Sequence, residues 1–381
     1  MSAAAPGSGS EPHAGRDPLR LAAAPLFFPA AAVYGAAVAP LSVHGLLTGG
    51  GLVPGLSSVH AHAHELLFGF AFAVVAGFLI TRTTGSRLAL LFASWLLGRT
   101  GALLNTGGAI ALLGNTAFAV LLAAMVAPQF LRSAKKLRNK AIAPLVLALC
   151  LALAGFHFAG LGAQVGLQWL ALRETVLLLA LLMLFMGGRI IAPAAAGAIQ
   201  DAGGHLEARV QPRIEGALLV LMGLAVLSLP LPAARPLTGG LVLAAAALSL
   251  LRLLRWRLWA CRDRPDLWCL GIGYGWLVAG LALLGLSWSL GILPASSATH
   301  AITVGALGTL AAVVMARVQR LRHKQDPATL WSLPWVTGSI GLAALARIVG
   351  HDSTTALGLA AGLWSLGLLL LLPALLPQRT S

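Results

Sequence analysis

Three histidines stand on alternate positions, His60, His62 and His64, and Glu65 follows at once in "HAHAHELLFG". A fourth, His300, opens "HAITVG". Imidazole is the commonest side-chain metal ligand, and a carboxylate beside it can orient the ring by accepting its other N–H. In each block a glycine follows the histidine after four residues, Gly69 in one and Gly305 in the other. A glycine leaves the backbone open to a flat ring or a second helix. Small residues continue at Ala73 and Gly77, and at Gly308 and Ala312. Metal ligation above a close-packed surface is the chemistry this pattern can support. The plainer alternative is small-residue helix packing with hydrogen-bonded interface histidines.

The elements that carry these residues are apolar. Of 381 residues, 58% are hydrophobic and 10% charged, against about 25% charged in a soluble domain. The solvent this composition fits is the lipid bilayer, whose core takes roughly 20 apolar residues per helix. Twelve such runs are expected: 21–47, 61–81, 87–105, 108–128, 141–161, 165–190, 213–231, 236–258, 267–290, 296–317, 330–349 and 354–376. The fold class is therefore all-α, a polytopic bundle of about twelve transmembrane helices forming one domain over 21–377. Residues 1–20 are small, polar and rich in Pro and Gly, and read as a disordered tail without the apolar core of a secretory signal.

The net charge of +15 does not point to nucleic acid, because the basic residues gather in short loops between apolar runs. On the twelve-run layout, 22 of the 26 lie in the tails and on one set of loops. The opposite loops hold Arg235 alone. Basic loops stay cytoplasmic, so both termini are expected inside. The cysteines, Cys150, Cys261 and Cys269, form no CxxC motif and imply no disulfide.

Seven of the ten histidines fall at the other, outer ends: His44, His60, His62, His64, His157, His300 and His351. Histidine carries no topology signal, so a shared outer site is the natural reading. His64 and His300 both lie in the first turn of an inward-running span. At ~1.5 Å per residue they reach similar depth, where two imidazoles can take haem iron from opposite faces. On ideal helical spacing His62 and Glu65 share one face and His60 and His64 another. His62 is then a second metal ligand, with Glu65 as partner to a ring N–H, or else Glu65 is a buried ion-pair partner for an arginine such as Arg99. Arg99, Arg173 and Arg347 lie in the outer halves of their spans, suited to haem propionates. An internal pairing of Arg173 or its neighbour Glu174 is the alternative.

Several blocks resemble the NnrS family: "HAHELLFGFAFAVVAGFLITRT", "LLGRTG", "LRNK", "LRETVLLLALLMLFMGGRIIAP", "RPDLWCLGIGYGWLVAG" and "HAITVGALGTLAAVVMARV". They occur in order across about residues 20–350. The resemblance implies a twelve-span protein of the bacterial inner membrane that contains haem and copper and is associated with nitric oxide and denitrifying growth. It places the family's histidines at His62, His64 and His300, its glutamate at Glu65 and its arginines at Arg99 and Arg189. His60 lies outside that pattern, and Leu66 stands where methionine is usual. After the His300 block "RVQRLRHKQDP" replaces a Gly-His-Thr-Gly-Arg turn. The blocks are also analogous to the haem-copper oxidase core, but the sixth and seventh runs carry no histidine for its copper centre.

The expected function is the handling of nitric oxide or a metal-nitrosyl species at an outer haem and copper site. His62, His64 and His300 are the metal ligands, Arg99 and Arg173 assist the cofactor, and Glu65 supports from behind. His44, His157 and His351 stay open for copper, since imidazole suits that metal. A twelve-helix secondary transporter and a non-enzymatic haem-holding assembly protein are the rival classes.

Overall fold

The computed structural model describes residues 21–133, 140–207 and 211–376. Twelve long helical rods run through them: α1 Ala24–Thr48, α2 Val59–Leu79, α3 Gly85–Leu104, α4 Ala109–Ser133, α5 Ile142–Leu161, α6 Val165–Asp201, α7 Pro212–Ser228, α8 Arg235–Arg255, α9 Pro265–Leu290, α10 Ala295–Arg322, α11 Leu333–Val349 and α12 Thr354–Leu375. Among the described residues no strands form beyond an isolated bridge between Leu21 and Thr83. The rods match the twelve expected runs to within a few residues, with one large exception. Ten are long and apolar enough to cross a membrane, while α7 and α11 have 17 residues each. The expected tail 1–20 and the basic stretch 134–139 lie outside the described residues.

The exception is α6, which continues past Pro193 to Asp201. The alanine-rich run from Ala192 favours helix. At ~1.5 Å per residue this rod outreaches the ~30 Å apolar layer. Elsewhere the ends are locally encoded. The Ser58 hydroxyl accepts from the Ala61 N–H to start α2, and Ser353 does the same for Ala356 at α12. Gly49 and Gly291, both left-handed, stop α1 and α9.

Lipid gives apolar side chains little reason to leave it, so the bundle is held by close approach of small surfaces and by buried polar links. A Cβ on Gly285 of α9 would come within 2.9 Å of the Gly239 carbonyl oxygen of α8. Gly98 of α3 and Gly114 of α4 are similarly pressed together. Three helices form the middle. In the most apolar windows of α2 and α10, 78% of residues are buried, and in α6 72%, against 33% in α12. The two histidine blocks therefore open the two most enclosed rods.

Candidate functional site

Both histidine blocks lead into π-helical turns, Glu65–Ala71 in α2 and Ala301–Gly308 in α10. Such widened turns are rare and cluster at functional sites. Here they begin on the residue after His64 and after His300. The widening changes which side chains share a face from Glu65 and from Ala301 onward.

His62 and His300 line one cavity of about 360 Å³ between α1, α2, α6, α9, α10, α11 and α12. That lies within the roughly 300–1,000 Å³ range of small-molecule and cofactor sites. Its walls are mainly aliphatic and aromatic, including Trp169, Trp288 and Trp364, and its cations are Arg173 and Arg347. The histidine tautomers follow from their partners. The Ser42 hydroxyl donates to the Ala39 carbonyl at 2.9 Å, so its oxygen accepts from His62 Nδ1–H at 2.8 Å. The Ser296 carbonyl can only accept, so His300 Nδ1 donates to it at 2.7 Å. In both neutral rings Nε2 keeps its lone pair. The Nε of Arg347 is buried without a hydrogen-bond partner, while its Nη2 donates to Ser296 Oγ at 3.2 Å.

His64 lies elsewhere. The expected pairing of His64 with His300 is not what the fold brings together; His62 takes that place. His64 Nδ1 donates to Glu65 Oε1 at 2.5 Å, and His64 Nε2 faces His157 Nε2 at 3.0 Å. Glu65 Oε2 accepts from Arg99 Nη1 at 2.6 Å and from the Tyr34 hydroxyl. Arg99 also donates to Asn115 Oδ1, and Asn115 Nδ2 donates to the Ala111 carbonyl at 2.8 Å. His64 and Glu65 are fully enclosed, and Arg99, Asn115 and His157 nearly so. Glu65 is thus joined to its chain neighbour His64 rather than to His62, because the widened turn begins at Glu65. The expectation of Arg99 at a propionate gives way to the other reading, a buried ion pair with Glu65.

The glycines admit flat rings, but these rings belong to the protein. A Cβ on Gly305 would sit 2.7–2.9 Å from the Trp276 indole. One on Gly69 would meet the Tyr34 ring at 2.7 Å and Arg99 Nη1 at 2.8 Å. Trp95 Nε1–H donates to the Gly69 carbonyl at 3.0 Å, occupying a backbone acceptor within the π turn.

The remaining candidates divide. His60 packs on Trp169 with ring centroids 4.1 Å apart. His44 and His351 are exposed, and His351 pairs with Asp352 at 2.7 Å. Arg173 is exposed at the cavity wall, and Glu174 beside it keeps one buried oxygen without a partner. Arg189 stacks on Phe185 at 3.9 Å and reaches Glu215 at 3.5 Å, away from the cavity lining. The altered turn after α10 is tied down by ion pairs, with Asp266 holding Arg264 and Arg317 and Asp326 holding Arg264 at 3.3 Å. Tyr34, Ser42 and Asn115 were not anticipated. Each is a polar side chain within a mainly apolar run, and Tyr34 is one of two tyrosines in the chain; polar side chains inside membrane helices are costly and turn toward the bundle interior. Among the described residues no three His, Cys, Asp or Glu side chains converge as a metal site.

A multi-pass helical bundle with a histidine-bearing cavity and a buried imidazole–carboxylate–guanidinium chain is the class these features define. The chain belongs to the NnrS family, whose sequence model, described as NnrS protein, matches residues 22–378. None of the curated proteins matches the chain.

Proposed function

We propose that this is a protein of the bacterial inner membrane that holds haem in the α2–α10 cavity and copper between His64 and His157, and handles nitric oxide or a metal-nitrosyl species there. The observation that carries the reading is that His62 and His300, with Nδ1 committed and Nε2 free, share one apolar cavity with two arginines. This donor set fits haem: imidazole for the iron, guanidinium forks for propionates, aromatic and aliphatic walls for the macrocycle. The orphaned Nε of Arg347 supports an anionic occupant. Bound haem would supply an iron that takes nitric oxide as a ligand. The chain's own part is to fix the ring tautomers through Ser42 and the Ser296 carbonyl, to counter negative charge with Arg173 and Arg347, and to keep water out.

His64 fits copper by the same logic. Its Nδ1–H rests on a carboxylate, an arrangement that presents Nε2 to a metal and raises ligand basicity. His157 supplies the second imidazole. Glu65 then supports His64 from behind, and Arg99 and Tyr34 hold Glu65. The charge bias of the loops supports an outer position for both sites and cytoplasmic termini.

The test is the absorption spectrum of purified protein. A Soret band is expected in the parent and in His64→Ala, and its loss in His62→Ala and His300→Ala. Parent-level Soret bands in both of the latter overturn the ligand assignment. A folded parent with no Soret band after haem supplementation favours the transporter reading.

A further inference from the structure

A second cavity of about 90 Å³ lies against the first, and Leu307 of α10 belongs to the walls of both. The same helices continue from one to the other. Phe70 lines the first and Ala71 the second on α2, Val176 and Leu179 follow each other on α6, and Val304 and Leu310 on α10. The second cavity is walled by aliphatic, phenyl and thioether groups, with no donor side chain and no acceptor stronger than a thioether sulfur among its lining residues. At the far end Phe78, Met186, Ile190 and Val314 line it and are only half buried. These positions lie toward the basic ends of α2, α6 and α10, opposite the histidines.

We infer that the two cavities form one passage for a small uncharged apolar molecule of diatomic size, running from a mouth at Phe78, Met186, Ile190 and Val314 to the histidine cavity, with Leu307 as the partition between them. Water needs two to four polar partners to settle in a cavity, and the second cavity offers no hydroxyl, amide or charged group, so that stretch of the passage stays dry and closed to ions. A dry apolar cavity of ~150 Å³ takes benzene or xenon, and this smaller one suits a smaller guest. An apolar gas dissolves more readily in hydrocarbon than in water, so a mouth among membrane helices draws on the richer phase. The leucine at the partition turns between staggered rotamers without breaking any hydrogen bond. That the guest is nitric oxide rests on the reading above; that the passage admits an apolar diatomic does not.

Two measurements separate these points. Saturable xenon binding, followed by xenon NMR on the purified protein, tests the cavity with or without haem. It is expected in the parent and in Leu307→Ala, and weakened in Ala311→Phe, which places a ring in the second cavity and leaves only the first. Stopped-flow association of nitric oxide with the reduced, haem-loaded protein tests the route. Slowing of about tenfold or more, equivalent to about 1.4 kcal/mol in barrier, is expected in Ala311→Phe and in Val314→Phe at the mouth, with an unchanged Soret band and no slowing in Leu307→Ala. If Ala311→Phe fails to accumulate, Val314→Phe carries the kinetic test and parent xenon binding the other. Absence of saturable xenon binding in the parent overturns the passage, as does unchanged association in the folded phenylalanine variants. A parent that binds xenon but no haem sinks the nitric oxide reading and leaves the passage standing.

Discussion

His64 Nε2 faces His157 Nε2 at 3.0 Å, and the other nitrogen of His64 is fixed on Glu65 at 2.5 Å. The carboxylate requires His64 Nδ1 to carry the proton, so the short approach needs His157 Nε2–H to donate into the His64 lone pair. A metal that displaced this one proton would find two imidazole nitrogens already turned toward each other.

Copper content is the measurement this arrangement calls for. His64→Ala and His157→Ala should each lower bound copper, about 10–100-fold in affinity if Glu65 is replaced instead, with the Soret band retained. His44→Ala and His351→Ala, at exposed positions, should leave copper at parent level. Parent-level copper in both His64→Ala and His157→Ala would remove the pair from consideration.

The Glu65–Arg99 pair predicts a non-additive stability pattern. Glu65→Leu leaves Arg99 buried with Asn115 as its remaining side-chain partner, and Arg99→Leu leaves Glu65 with His64 and Tyr34 but without its guanidinium countercharge. Breaking one side of a buried pair costs about 3–5 kcal/mol, whereas replacing both by apolar groups is often near neutral. Thermal unfolding in detergent should therefore show both single variants well below the parent and the double variant recovering much of the loss. Additive losses would mean that the two side chains are not energetically coupled.

The glycines of the two π turns should also respond to a methyl group. Gly69→Ala drives a Cβ toward Tyr34 and Arg99, and Gly305→Ala toward the Trp276 ring. Overpacking of this kind costs about 1–3 kcal/mol. Gly362→Ala of α12, where a Cβ meets nothing within 4 Å, is the control and should unfold with the parent. Equal stability of all three variants would show that the close approaches at α2 and α10 are not limiting.

The helices and the concentration of chemistry in two blocks were legible in the sequence because period, length and composition encode them directly. The division of the histidines between two sites was not. That reading assumed uninterrupted α-helix from His62 onward, which places Glu65 with His62; the π turn at Glu65 joins it to His64 instead. Matched depth suggested His64 opposite His300, but depth says nothing about azimuth, and azimuth sends His62 to the cavity and His64 to α5. His157 was left among several equals because sequence does not show that α5 packs its histidine against α2. Glycine opposite a flat ring was a sound physical expectation, met by Tyr34 and Trp276 from α1 and α9.

Arg347 offers an electrochemical test. It lines the cavity with His62 and His300 and is half buried. A cation near haem iron favours the reduced state, which carries one positive charge less, so it raises the reduction potential. Arg347→Gln should lower the midpoint in a spectroelectrochemical titration with the Soret band retained. Arg173→Gln should have a smaller effect, because its side chain is exposed and water screens it. An unchanged or higher midpoint in Arg347→Gln would place the arginine away from the iron.

The orientation of both sites rests on the loops and can be tested without any cofactor. The 22-to-1 distribution of basic residues predicts the loop with Gly50 outside and the segment from Arg132 to Lys140 in the cytoplasm. The three native cysteines are all free and buried, so a membrane-impermeant maleimide has little background to label. Gly50→Cys is open to the reagent, since a Cβ there meets nothing within 4 Å. In intact cells or right-side-out vesicles, Gly50→Cys should label and Ser133→Cys should label only after permeabilisation. The reverse pattern would turn the histidine ends of α2 and α10 to the cytoplasm. The cavity and the His64–His157 pair would then remain as described, but their access from the outer face would be excluded.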